Sequence, residues 1–180
     1  LCERPPVEDL GGITLLVVGD TQQALLAYAR HILAAQKVEV IGVTGSVGKT
    51  SAKEAIAAVL AMRRAVFRNP GNYNGRFGLP IALGDLEPGQ RVAVLEMACD
   101  GFDEIRHLAE ITRPRVGVVT AIGPSHLEYF GSLEQIAREK GRLLEALPAD
   151  GLAVLNADDP LVMSLAARAA TVAARPVLID

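Results

Sequence analysis

The sequence has only two cysteines, Cys2 and Cys99, and neither belongs to a CxxC pair or a Cys/His ligand spacing. That argues against a disulfide framework or a structural zinc site, and it fits a reducing compartment, the cytoplasm. Charge of one sign is also lacking. The formal net charge is −3 and no block of like charges stands out, so no nucleic-acid partner is expected. Apolar stretches such as 38–43 and 92–97 are far shorter than the ~20 residues of a membrane span, and no membrane association is expected. Nothing at the N-terminus reads as a signal peptide, and no internal repeat or low-complexity segment occurs. The chain begins at Leu1 rather than Met and reads as a piece of a longer protein. A soluble monomer that acts on small molecules is expected.

Half of the 180 residues are hydrophobic, enough for one α/β domain with a proper core. Apolar strand-like runs alternate with helix-like stretches, the pattern of a P-loop-type, mostly parallel sheet with helices on both faces. Strands are expected at 13–19, 38–43, 65–68, 92–97, 116–121, 152–156 and 176–179. Helices are expected at 21–35 with Thr21 as N-cap, at 50–62, near 79–83, at 103–112 and at 132–147. The last of these opens on Ser132-Leu133-Glu134-Gln135, which has the form of a capping box. The dipeptide Asp159-Pro160 reads as an N-cap followed by proline at the first helical position. Residues 69–89, rich in Gly, Asn and Pro, are expected to be mostly loop. Residues 1–36 read as the end of a preceding domain and its linker, outside the core, and 37–180 as the nucleotide domain, incomplete at its C-terminal end.

The chemistry concentrates at Thr44-Gly45-Ser46-Val47-Gly48-Lys49-Thr50-Ser51, between a buried strand and an amphipathic helix. Glycines let backbone N–H groups converge on phosphate oxygens, and the helix N-terminus adds partial positive charge. Lys49 can reach the β- and γ-phosphates of ATP, and the Thr50 hydroxyl can ligate Mg²⁺. The general pattern G-x-x-x-x-G-K-[ST] would place glycine where Val43 stands. The bland alternative is a glycine-rich turn with a surface lysine; the flanking strand and helix favour phosphate.

Four further positions stand out. Glu96 closes an apolar strand, where doubly wound folds hold their ligands, and could bind Mg²⁺; otherwise it is a solvated strand end. His126 follows the strand at 116–121, and as a lone histidine it is equally an ordinary loop residue. Lys140 falls on the apolar stripe of its helix, with Ile136 four residues before and Leu144 four after. It must either snorkel to solvent or lose its charge through burial and become reactive. Asn156 could offer its amide to a purine edge, or Asn156 and Asp159 could simply make a turn and cap a helix.

Together these pieces resemble the Mur ligase family, ATP-dependent enzymes that add amino acids to the peptidoglycan stem peptide. The likeness runs from about Val38 to Pro160. It rests on the loop 44–51, Pro70-Gly71-Asn72-Tyr73-Asn74 with Gly78-Leu79-Pro80, Glu96-Met97, Gly123-Pro124-Ser125-His126-Leu127-Glu128, Lys140 and Asn156-Ala157-Asp158-Asp159-Pro160. The resemblance implies that Gly45 to Thr50 cradle the ATP phosphates, with Lys49 on the γ-phosphate. It places one magnesium on Thr50 and Glu96 and a second on His126 and a carbamate carried by Lys140, and it puts Asn156 on adenine. Within the family the likeness is greatest to members that join D-alanyl-D-alanine to a UDP-MurNAc-peptide; another Mur ligase or a folylpolyglutamate synthase-type ligase is the alternative, as is a non-ligase P-loop nucleotide-binding protein, either a hydrolysis-driven switch or a scaffold that has lost catalysis. Gly75, Arg76, Ala98, the segment Cys99-Asp100-Gly101-Phe102 and Ala121 depart from the family pattern. The 180 residues alone are expected to be inactive as a ligase.

Overall fold

The structure, a computed structural model, describes residues 1–5, 11–171 and 175–179. Its centre is a six-stranded sheet in the order β2-β3-β1-β4-β5-β6. The strands are β1 (Glu39–Thr44), β2 (Val66–Arg68), β3 (Val92–Glu96), β4 (Val116–Val119), β5 (Leu152–Asn156) and β6 (Arg175–Ile179). Every pairing is parallel. All five residues of β3 are buried, which is why it reads as an unbroken apolar run rather than an alternating one. After β1 the chain crosses to β2 and β3 on one side and then passes to β4 on the other. The C-terminal end of β1 is therefore a topological switch point, where open α/β sheets bind their ligands.

Helices cover the two faces unequally. On one face α2 (Lys49–Ala61) packs Ala57 against Val43 of β1 and Val94 of β3. The other face carries α1 (Thr21–Ala35), α3 (Gly78–Ala82), α4 (Glu104–Thr112), α5 (Leu127–Phe130) and α6 (Leu133–Glu145), followed by α7 (Pro160–Met163) and α8 (Ala166–Thr171). Ile136, Leu143 and Leu144 of α6 are fully shielded. Burying each such side chain contributes roughly 1.5–3 kcal/mol, so the stripe read from the sequence is what seats α6 on the sheet.

The expected elements are present with ends shifted by a residue or two, and four differences are informative. Residues 13–19 do not form a strand: Val17 makes a single parallel bridge to Cys2, and Ile13, Leu16 and Val17 are exposed. An apolar run becomes a strand only where a neighbouring edge accepts its hydrogen bonds, and this one lies outside the sheet. The cap of α1 is Asp20, one residue before the expected Thr21; its carboxylate accepts from the Gln23 N–H at 2.8 Å. Helix α1 is also not outside the core, because Leu26, Ala29 and Leu33 are buried in one cluster with Ile105 and Leu108 of α4. The expectation of a bare connection holds for none of those three positions. Finally, the single turn α5 was not expected. It lies between two left-handed residues, His126 and Gly131, and buries Phe130 edge-on against Phe102 at 5.1 Å.

Candidate functional site

The loop after β1 is shaped by two glycines. Gly45 has φ 149°, and a Cβ there would lie 2.0 Å from Thr120 Oγ1, so only glycine lets the loop pass the end of β4. Gly48, at φ 81°, is the N-cap of α2 and makes no side-chain cap hydrogen bond. The first N–H groups of α2 are thus left for an external acceptor at the positive end of the helix. Ser46 anchors the loop: its N–H donates to Ala121 O at 2.7 Å and its hydroxyl to Gly123 O at 3.0 Å. The departure at Val43 has a packing cause. Val43 is still in β1, paired with Glu96 and buried against α2, so the tight loop begins only at Gly45.

Lys49 folds back over this loop, its ammonium donating to Ser46 O at 3.2 Å. Burial pushes its pKa below the ordinary value, Lys140 pushes it further, and Glu96 and Cys99 partly oppose. Lys49 and Lys140 are thus near enough to repel each other, and an anion bound close to both would relieve that repulsion. Thr50 Oγ1 donates to Glu96 Oε2 at 2.7 Å, and Asn74 Nδ2 donates to Glu96 Oε1 at 2.8 Å. Glu96 is buried, not the solvated strand end of the bland reading.

Lys140 does not snorkel. It is 3 % exposed, and its ammonium lies 3.7 Å from the Cys99 sulfur. Burial raises the Cys99 thiol from its ordinary 9.0 to about 11, so the sulfur stays protonated at neutral pH. The sign of the linkage is definite. A thiol whose folded pKa is raised stabilises the fold fully below 9.0, and that contribution is lost as pH rises toward about 11. Chemical unfolding followed from pH 8 to 11 is expected to show this loss in the native protein and a flatter profile in Cys99→Ala. An identical slope in both would remove Cys99 as its source.

His126 begins α5 in a left-handed conformation, with Nε2 at 3.3 Å from Asp100 Oδ1. Lys140 and His126 thus approach the same short segment, Cys99–Asp100, from α6 and from the loop after β4. Asn156 lies at the end of β5, its Nδ2 donating to Thr120 O at 2.9 Å and its Oδ1 accepting from the Asp158 N–H at 3.0 Å. Asp159 caps α7 through the N–H groups of Leu161 and Val162. Both of these residues are therefore engaged in the turn and cap, a role compatible with a contact to a purine. Among the described residues no group of three or more His, Cys, Asp and Glu side chains is gathered tightly enough to hold a metal ion.

Sequence reasoning missed Lys53, Asn69, Asn74, Asp100 and Cys99 as parts of this site. Lys53 was detectable: it stands four residues after Lys49 and four before Ala57, on the buried face of α2, by the same spacing that singled out Lys140. A polar cavity of about 440 Å³ opens between the loop at 72–78 and the segment after β3, lined by Asn72, Asn74, Arg76, Cys99, Asp100 and Glu104. Larger, apolar hollows of about 670 and 570 Å³ flank α2 on its own face of the sheet.

Residues 43–178 match the family model described as the Mur ligase middle domain. The chain belongs to the Mur ligase family. It is 42% identical over 168 residues to the UDP-N-acetylmuramoyl-tripeptide–D-alanyl-D-alanine ligase of Synechocystis sp., covering 91% of this chain and 36% of that protein. The MurF ligase from Thermotoga maritima, solved in complex with ADP, superimposes with a TM-score of 0.84 at 34% identity over 98% of this chain and 40% of that one. The MurF crystal structure from Acinetobacter baumannii gives a TM-score of 0.89 at 28% identity, over 99% of this chain and 39% of that one. The chain spans about a third of the length of the curated relative. No helix among the described residues is long and apolar enough to cross a membrane.

Proposed function

We propose that this chain is the ATP-binding part of an ATP-dependent amide ligase of peptidoglycan precursor synthesis, one that joins D-alanyl-D-alanine to a UDP-MurNAc-peptide. The observation that carries this reading is the Gly45–Thr50 loop at the end of β1 with Thr50 Oγ1 bonded to the buried Glu96 carboxylate. The relatives named above support the substrate class. In the reaction, the γ-phosphoryl group of ATP passes to the terminal carboxylate of the peptide, giving an acyl phosphate and ADP. The amine of D-alanyl-D-alanine then attacks the acyl carbon, the amide forms, and phosphate leaves.

The residues divide this work by position. The open N-terminus of α2 and the loop 44–51 take the phosphates, and Lys49 moves from Ser46 O to the charge that develops on them. Magnesium fits the donor set at Thr50 and Glu96. Mg²⁺ takes hard oxygen ligands, keeps several waters, and is commonly held by one or two carboxylates plus substrate phosphates rather than by an all-protein cage. His126 and a carbamate on Lys140 would serve a second ion near Cys99–Asp100. Bound magnesium supplies neutralisation of phosphate charge. Asn156 would contact adenine through the second Nδ2 hydrogen and the second Oδ1 lone pair.

A ligase and a nucleotide switch differ in what triggers phosphate release. In the full-length protein, phosphate release is expected to require both UDP-MurNAc-tripeptide and D-alanyl-D-alanine, with one amide formed per phosphate. Release that proceeds equally without the dipeptide would replace the ligase reading with the switch.

A further inference from the structure

Lys53 is fully buried and without a role in the reading above. Its ammonium donates to Asn69 O at 2.7 Å and approaches Glu54 Oε1 at 3.4 Å and Glu96 Oε2 at 3.9 Å. Asn69 is equally buried and grips the strand end that carries Glu96. Its Oδ1 accepts from the Glu96 N–H at 2.8 Å, and its Nδ2 donates to Glu96 O at 3.1 Å and to Tyr73 O at 2.7 Å. A buried ammonium is costly unless charge and hydrogen bonds surround it; here Asn69 O supplies the hydrogen bond, and Glu54 and Glu96 supply the charge. The carboxylate is therefore held at both oxygens: Thr50 bonds Oε2 with the Lys53 ammonium at 3.9 Å from the same atom, and Asn74 bonds Oε1.

We propose that Lys53 is a positioning residue: through its charge beside Oε2 and its bond to Asn69 O, it holds the Glu96 carboxylate facing Thr50, where magnesium would bind. This rests on the nucleotide reading of the site. Lys53 also places a second positive charge beside Glu96, whose attraction Lys49 otherwise meets alone. A partner behind a metal-ligating carboxylate commonly changes metal affinity by about 10–100-fold when removed.

The test is calorimetric titration of the full-length protein with ATP at stepped MgCl₂ concentrations, comparing the native chain with Lys53→Gln and Lys53→Met. The magnesium concentration that half-maximally promotes ATP binding is expected to rise about tenfold or more in both variants. ATP binding without magnesium should change less than twofold. A role confined to packing predicts a lower melting temperature with an unmoved magnesium midpoint, and that result overturns the proposal. Should the single variants fail to fold, Lys53→Met combined with Glu96→Gln decides, because removing both buried charges leaves neither unpaired. Recovery of the fold in the double variant supports the pairing, and its failure to fold overturns it. Native protein that binds no ATP at any magnesium concentration would instead refute the nucleotide reading itself.

Discussion

Lys49→Ala is expected to weaken binding of Mg-ATP by about a hundredfold or more, equivalent to roughly 3 kcal/mol for lost charge-assisted contacts in a partly desolvated site. Lys49 is the cation that folds over the loop, and among the described residues it donates to Ser46 O, a bond it can surrender without cost to a secondary-structure element. Burial and the neighbouring Lys140 both disfavour its charge in the empty protein. The substitution should therefore leave thermal stability unchanged or slightly raised while affinity falls. That opposition of stability and affinity separates a phosphate ligand from a structural lysine. Calorimetry with Mg-ATP and a melting curve on the same sample make the check, and native affinity in the folded variant would withdraw the assignment of the loop.

Much of this site was legible because its parts sit at strand ends and strand ends announce themselves. The buried runs that became β1 and β3 stop at Thr44 and Glu96, and the glycine loop follows the first directly. Lys140 was legible as an anomaly, a cation on an apolar stripe, although the stripe alone left open whether it would snorkel. What settles that is the fit of α6 against the segment at Cys99, a contact between residues 41 apart in sequence. Asp100 beside His126 and Asn69 around Glu96 depend likewise on which strands become neighbours, and local pattern carries no such information. Residues 13–19 show the converse. Their apolar pattern is that of a strand, yet strand formation requires an edge to pair with, and the sheet offers them none.

Lys140→Ala should abolish ligase turnover in the full-length enzyme while much of the ATP affinity remains. The argument starts from burial. Lys140 is 3 % exposed on the packed face of α6, and among the described residues its hydrogen-bond partner is the Cys99 thiol, which stays protonated with a pKa of about 11. A buried amine beside a neutral thiol has no carboxylate bonded to it, and addition of CO₂ would supply an anionic oxygen there, on the side that His126 approaches through Asp100. Truncation removes that oxygen and leaves a void, at some cost in stability. The void is also what makes the prediction specific. Short-chain carboxylic acids should partly restore turnover to Lys140→Ala by occupying it, and should do nothing for Lys140→Met, whose side chain fills the same space. Bicarbonate should matter for the native enzyme alone, and a ¹³C-bicarbonate-labelled sample should show a carbamate resonance that both substitutions remove. If Lys140 were only a packed stem, Ala would lower the melting temperature more than Met and neither would lose turnover; a Lys140→Met enzyme with native rates would establish that simpler role.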